Sequence, residues 1–121
     1  NLLNYNIDLI VLAGYLWKFP TYLLKKYQNK VINLHPSLLP KYGGKGMYGT
    51  NVHKAVVLNK EVESGITIHY VNEYYDQGAI IFQAKCQILE SDTFSDVADK
   101  IRKLELHHLP VVVSKIIYKD G

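Results

Sequence analysis

The chain has 121 residues, 48% of them hydrophobic, which suffices for one compact domain and falls short of two ordinary ones. Its 14 Lys and Arg stand against 11 acidic residues for a formal charge of +3, spread along the chain without the clustered stripe that marks a nucleic-acid surface. No run approaches the roughly 18 consecutive apolar residues of a membrane span, and the N-terminus lacks the order of a signal peptide.

A cytoplasmic protein with neither membrane nor nucleic-acid partners is therefore expected. Cys86 is the one cysteine, which rules out a disulfide within the chain and the paired-cysteine zinc patterns, and it reads as a small hydrophobe. The sequence opens Asn1-Leu2-Leu3 without an initiator Met, and its first element reads like a strand from the middle of a sheet. The expectation is one domain over residues 1–121 that forms the C-terminal portion of a longer unit.

In chain order, Ile7 to Ala13 is a nearly unbroken apolar run ended by Gly14, the pattern of a parallel strand covered on both faces. Phe19-Pro20-Thr21 opens a short helix, with Pro in the first turn and Lys25 and Lys26 near the end, where cations suit the dipole. Val31 to His35 makes a second strand, and Pro36, Pro40, Gly43, Gly44, Gly46 and Gly49 punctuate a long loop after it. Val52 to Lys60 has helical spacing. Gly65 precedes a third strand, Ile66 to Val71, and the link Asn72 to Gly78 leads into a fourth, Ala79 to Leu89, as in a hairpin. Thr93 with Asp96 resembles a capping box for a helix marked by Phe94, Val97, Ile101 and Leu104. Leu109, Val112, Val113, Ile116 and Ile117 repeat at helical intervals and predict a C-terminal helix. The fold class is α/β, Rossmann-like: a mostly parallel sheet flanked by helices, with one antiparallel strand pair.

Alternate side chains of a strand share a face, so Asn33 and His35 point the same way and Leu34 points into the opposite layer. In open α/β sheets the ligand crevice lies beyond the carboxyl ends of the strands, where this pair sits. A carboxamide N–H can bond a developing oxyanion and an imidazole can give or take a proton, which together suit acyl transfer. Asp76, after the third strand, is a third candidate, because a carboxylate beside His35 would raise its pKa and fix its orientation. The plain alternatives stand alongside: Asn and His at strand ends also serve as turn or core residues, and Asp76 also reads as a turn residue. His69 reads equally as support for the Asp76 loop or as a structural histidine; His53, His107 and His108 carry no comparable case.

Gly44-Lys45-Gly46-Met47-Tyr48-Gly49 matches the dinucleotide fingerprint G-x-G-x-x-G literally, but Pro36 to Gly43 separate it from the strand it should follow directly. A loop over the active site is the preferred reading.

The run Asn33-Leu34-His35-Pro36-Ser37-Leu38-Leu39-Pro40-Lys41-Tyr42 closely resembles the signature of the phosphoribosylglycinamide formyltransferase family of purine biosynthesis. Val11 to Tyr15, Ser64 to Val71, Asp76 to Gln83, Glu105 and Pro110 also resemble that family in register, so nearly the whole chain is covered. The resemblance implies transfer of a formyl group from 10-formyltetrahydrofolate to the amine of glycinamide ribonucleotide, with no metal. It implies Asn33, His35 and Asp76 as catalytic residues. It makes Leu16, Trp17, Lys18, Phe19, Asn33, Asn72, Glu73, Tyr74, Tyr75 and Asp76 folate contacts, and Arg102, Lys103, Leu104 and Glu105 contacts of the nucleotide substrate. Arg102 departs from the neutral polar residue expected there, and the Gly-rich phosphate loop with which the family begins does not occur after Asn1. Methionyl-tRNA formyltransferase and formyltetrahydrofolate hydrolase fit less well, and a non-catalytic folate- or nucleotide-binding domain is the remaining alternative.

Overall fold

A computed structural model describes residues 9–13, 19–44, 46–47, 49–71 and 77–119. In chain order these form β1 (Ile10–Ala13), α1 (Thr21–Lys26), β2 (Val31–His35), α2 (Thr50–Leu58), β3 (Glu63–Val71), β4 (Gln77–Gln87) and α3 (Phe94–Lys119). The four strands make one sheet in the order β1-β2-β3-β4.

The α/β class holds, and the sheet is mixed. Its balance differs from the mostly parallel sheet that the sequence predicts: among the described residues β1 and β2 pair parallel, whereas β2 with β3 and β3 with β4 pair antiparallel. Parallel neighbours need a crossover, which α1 supplies between β1 and β2. The loop after β2 and helix α2 instead return the chain to the end of the sheet where β2 finished. His35 therefore faces Thr67 and Ile32 faces Tyr70, and Glu63 to Ile66 run on past the end of β2. Val71 lies opposite Gln77 in the antiparallel pairing of β3 with β4, as the hairpin reading expects.

Strand parity divides the core. Ile32, Leu34, Ile66 and Ile68 face one side, where they pack with Val52 and Val56 of α2 and Val97, Ile101 and Val112 of α3. Val31, Leu12 and Val71 pack with Leu23, Leu24 and Tyr27 of α1 and its end. Burying a side chain of this size contributes about 1.5–3 kcal/mol, so the two clusters together fix which face of each strand turns inward.

Two local departures have clear causes. The third strand begins at Glu63, and Gly65 lies within it: a Cβ there would come 2.0 Å from the Ala84 carbonyl oxygen and 2.7 Å from Leu38 Cδ2. Leu38 thus sits directly on the bare backbone of β3. The two C-terminal helices of the sequence reading are one continuous helix that passes through Pro110. Proline removes the hydrogen bond to the carbonyl four residues earlier, here that of Leu106. Both residues are exposed, so water can satisfy that carbonyl. The stripe Leu104, Leu109, Val112, Val113 and Ile116, packed on the core, holds the helix together across the break. At its start the capping box forms as expected: Asp96 N–H donates to Thr93 Oγ1 (3.2 Å), and Thr93 N–H donates to Asp96 Oδ2 (2.9 Å). No helix among the described residues is long and apolar enough to cross a membrane.

Candidate active site

Asn33 and His35 lie on the same face of β2, as parity requires, and cross-strand pairing sets His69 beside Asn33 and Thr67 beside His35. Thr67 in turn faces Gln83 of β4. The five polar side chains form a strip across three strands at the carboxyl end of β2, beyond the apolar patch covered by α1. Asn33, His35, Thr67 and His69 are all buried.

A buried polar strip must find its partners internally. Thr67 supplies most of them. Its hydroxyl donates to the Ser37 carbonyl (2.7 Å) and accepts from the Leu39 N–H (3.0 Å) and from Gln83 Nε2 (2.9 Å). Gln83 Nε2 also donates to the Leu39 carbonyl (3.1 Å), and Ser37 Oγ donates to the Lys41 carbonyl (2.6 Å). The segment Ser37 to Lys41, which includes a cis Leu39-Pro40 peptide, is thereby pinned to the sheet. It delivers the Tyr42 carbonyl to His35, whose Nε2 lies 2.8 Å away.

That contact assigns protons. A carbonyl accepts only, so His35 Nε2 carries hydrogen and, in the neutral ring, Nδ1 is a bare acceptor. Burial pushes the His35 pKa below its ordinary value, the Tyr42 hydrogen bond opposes this, and the nearby His69 lowers it further. His69 Nδ1 lies 2.9 Å from the Tyr70 carbonyl and likewise carries its hydrogen. Its Nε2 accepts from Asn33 Nδ2 at 3.3 Å, and burial lowers its pKa as well. Asn33 Oδ1 is buried and meets no partner among the described residues. A buried carbonyl oxygen without a donor costs roughly 1–3 kcal/mol, and at the end of a strand it fits a polar ligand that brings an N–H or O–H.

The structure thus unites Asn33 and His35 and adds His69, which the sequence leaves between two roles. Asp76, Leu16, Trp17, Lys18 and Asn72 to Tyr75 lie outside the described residues. Phe19 is half-buried against the cluster around Leu12 and Leu23. Arg102 pairs with Asp99 at 3.0 Å on an exposed face, Lys103 is exposed and Leu104 packs against the core. Glu105 is half-buried, and burial raises its pKa. Thr67, Gln83 and Ser37 are the residues that sequence reasoning missed. The available signal was a hydroxyl at an inward position between Ile66 and Ile68, which a buried strand tolerates only where it has partners.

An amide and an imidazole buried side by side at the carboxyl end of a strand, in an α/β sheet, are groups that chemistry of the acyl-transfer class can use. The comparisons with known proteins narrow this class: a family model described as formyl transferase matches residues 1–113, and the chain belongs to the formyl transferase family. It is 43% identical over 117 residues to a chloroplastic phosphoribosylglycinamide formyltransferase of Arabidopsis thaliana, across 97% of this chain and 40% of that protein. Among solved structures, phosphoribosylglycinamide formyltransferase from Anaplasma phagocytophilum superposes with a TM-score of 0.84 at 31% identity, across 98% of this chain and 55% of that one. A formyltetrahydrofolate deformylase from Pseudomonas syringae gives a TM-score of 0.80 at 28% identity, across 93% and 36%. The chain spans between 36% and 55% of the length of these relatives.

Proposed function

We propose that this chain carries the reacting centre of a phosphoribosylglycinamide formyltransferase, which moves the formyl group of 10-formyltetrahydrofolate to the amine of glycinamide ribonucleotide. The observation that carries the reading is the buried Asn33 and His35 pair on one face of β2, in a chain of this family. The folate supplies an activated formyl carbon. Attack by the substrate amine forms one C–N bond, the bond to the folate nitrogen breaks, and the proton lost by the amine is returned to that nitrogen. Asn33 N–H and protonated His35, whose Nδ1 then carries a hydrogen while Nε2 keeps its bond to Tyr42, stabilise the charge that develops on the formyl oxygen, where a fixed, water-poor donor set has most effect. In this proposal Asp76 holds His35 in its basic orientation and relays the proton. No step calls for a metal.

The remaining assignments belong to the same proposal. Leu16 to Phe19, Asn33 and Asn72 to Asp76 contact the folate; Arg102 to Glu105 contact the nucleotide substrate, with Glu105 accepting from ribose hydroxyls or the amine. Cytoplasmic location is also part of the proposal; the Arabidopsis relative is named as chloroplastic.

The likeness to a deformylase supports a second reading, in which water replaces the amine as acceptor. Both readings are tested by following products with and without glycinamide ribonucleotide. Formyl transfer that depends on the nucleotide upholds the first; formate release indifferent to it upholds the second. Replacement of His35 or Asn33 by Ala is expected to lower kcat by about 10²-fold or more, and full activity in both variants would exclude the site.

A further inference from the structure

We infer that His69 is a positioning residue that dictates which way the Asn33 carboxamide faces, an inference that rests on the reading of Asn33 as a formyl-transfer residue.

A carboxamide has nearly the same shape either way round, so packing cannot choose its orientation; hydrogen bonds must. Around Asn33 the choice is made by a short relay. The Tyr70 carbonyl accepts from His69 Nδ1 at 2.9 Å, so the proton of the neutral ring is at Nδ1 and Nε2 offers a lone pair. Asn33 Nδ2 lies 3.3 Å from that lone pair. Reversing the carboxamide would set Oδ1 against Nε2, two acceptors facing each other where water has little access: Asn33 and His69 are each 3% exposed. The backbone carbonyl of Tyr70 thus fixes the tautomer of His69, and the tautomer fixes the amide.

The fixed orientation leaves Asn33 with two separate capacities. One N–H is held by His69, and the other is assigned to a ligand oxygen. Oδ1, buried and without a partner among the described residues, is the position for a ligand N–H. In formyl transfer these match the formyl oxygen and the attacking amine. A freely turning amide would present the wrong atom to both for part of the time. His69 serves this function through Asn33 and does not itself meet the reacting atoms.

The test uses the full chain and two substitutions that separate the ring nitrogens. Glutamine reaches the Nε2 position with a carbonyl oxygen and can still accept from Asn33; asparagine reaches only the Nδ1 position. His69→Asn is expected to lower kcat about tenfold, the effect of one lost buried hydrogen bond, with little change in KM for the formyl donor, and His69→Gln to recover activity to within about threefold of wild type. In an Asn33→Ala background His69→Asn should have no further effect. Equal loss in both His69 variants would overturn the inference. So would an effect that persists without Asn33 and disappears in Asp76→Ala, since His69 would then act on the Asp76 loop. A wild-type chain inactive in formyl transfer would refute the proposed function, and the positioning role is then read by NMR. A proton on His69 Nδ1 together with a slowly exchanging Asn33 side-chain N–H that is lost in His69→Asn upholds the role; a proton on Nε2 in the neutral ring overturns it.

Discussion

Replacement of Thr67 by Val gives the sharpest test of how the site is held. The two side chains have nearly the same shape, and Thr67 is 0% exposed, so the change removes a hydroxyl from the interior without opening a cavity. Three partners lose a bond. Gln83 has an exposed side chain and keeps the Leu39 carbonyl at 3.1 Å, so its loss is small. The Ser37 carbonyl and the Leu39 N–H, both in buried bonds to Thr67, are left without it. At about 1–2 kcal/mol for each buried group stranded, the expected destabilisation is roughly 2–4 kcal/mol. Urea unfolding should show this as a lower midpoint with an unchanged slope, and a thermal melt as a fall on the order of 10 °C. The pinned segment presents the Tyr42 carbonyl to His35, so formyl transfer should fall further than the folded fraction does. Thr67→Ser keeps the hydroxyl, loses one methyl and should cost only about 1 kcal/mol. A Thr67→Val protein within 0.5 kcal/mol of wild type, an order-of-magnitude threshold for surface changes, would refute the hydroxyl's role as the anchor.

Gly65→Ala should be severely destabilising, about 3 kcal/mol or more, because its Cβ meets backbone of β4 that cannot move aside; soluble yield and the melting temperature measure it. Ile101→Ala, on the opposite face of the sheet, should cost about 2–5 kcal/mol by leaving a cavity, while kcat measured well below the melt stays near wild type. Stability should also depend on pH. Burial lowers the pKa of His35, His53 and His69 below the ordinary 6.5, so between the folded and unfolded values the unfolded chain binds more protons. Their contribution is complete above about pH 6.5 and is lost as pH falls toward the lowered folded values. Melting temperatures that rise on acidification through that window would contradict the burial of these rings.

What the sequence made legible follows from which interactions are local. Strand parity and helical spacing depend on a few neighbouring residues, so β2, the shared face of Asn33 and His35, and the capping box at Thr93 could be read directly. The family signature around His35 extended the reading to function. Strand direction could not be read in this way, because whether β3 lies parallel or antiparallel to β2 depends on where the loop between them turns. Gly65 looked like the residue before a strand, since what requires glycine there is Leu38 and the carbonyl of Ala84, both distant in sequence. The two helical stretches read around Phe94 to Leu104 and Leu109 to Ile117 are one helix, because the packed stripe carries it through Pro110. The role of Thr67 was hidden for the same reason as that of His69: each is defined by partners on other strands.

The alternation along β2 carries a consequence for how faithfully this chain must fold. Slipping β2 by a single residue against its neighbours would exchange its two faces, driving Asn33 and His35 into the layer of Ile66, Ile68 and Ile101 and turning Leu34 toward the polar strip. Mispaired copies would bury an amide and an imidazole in hydrocarbon and would be eliminated by their own instability. The residues proposed to carry the chemistry therefore also act as a registration mark, so that in this reading selection for activity and selection against misfolding bear on the same two positions.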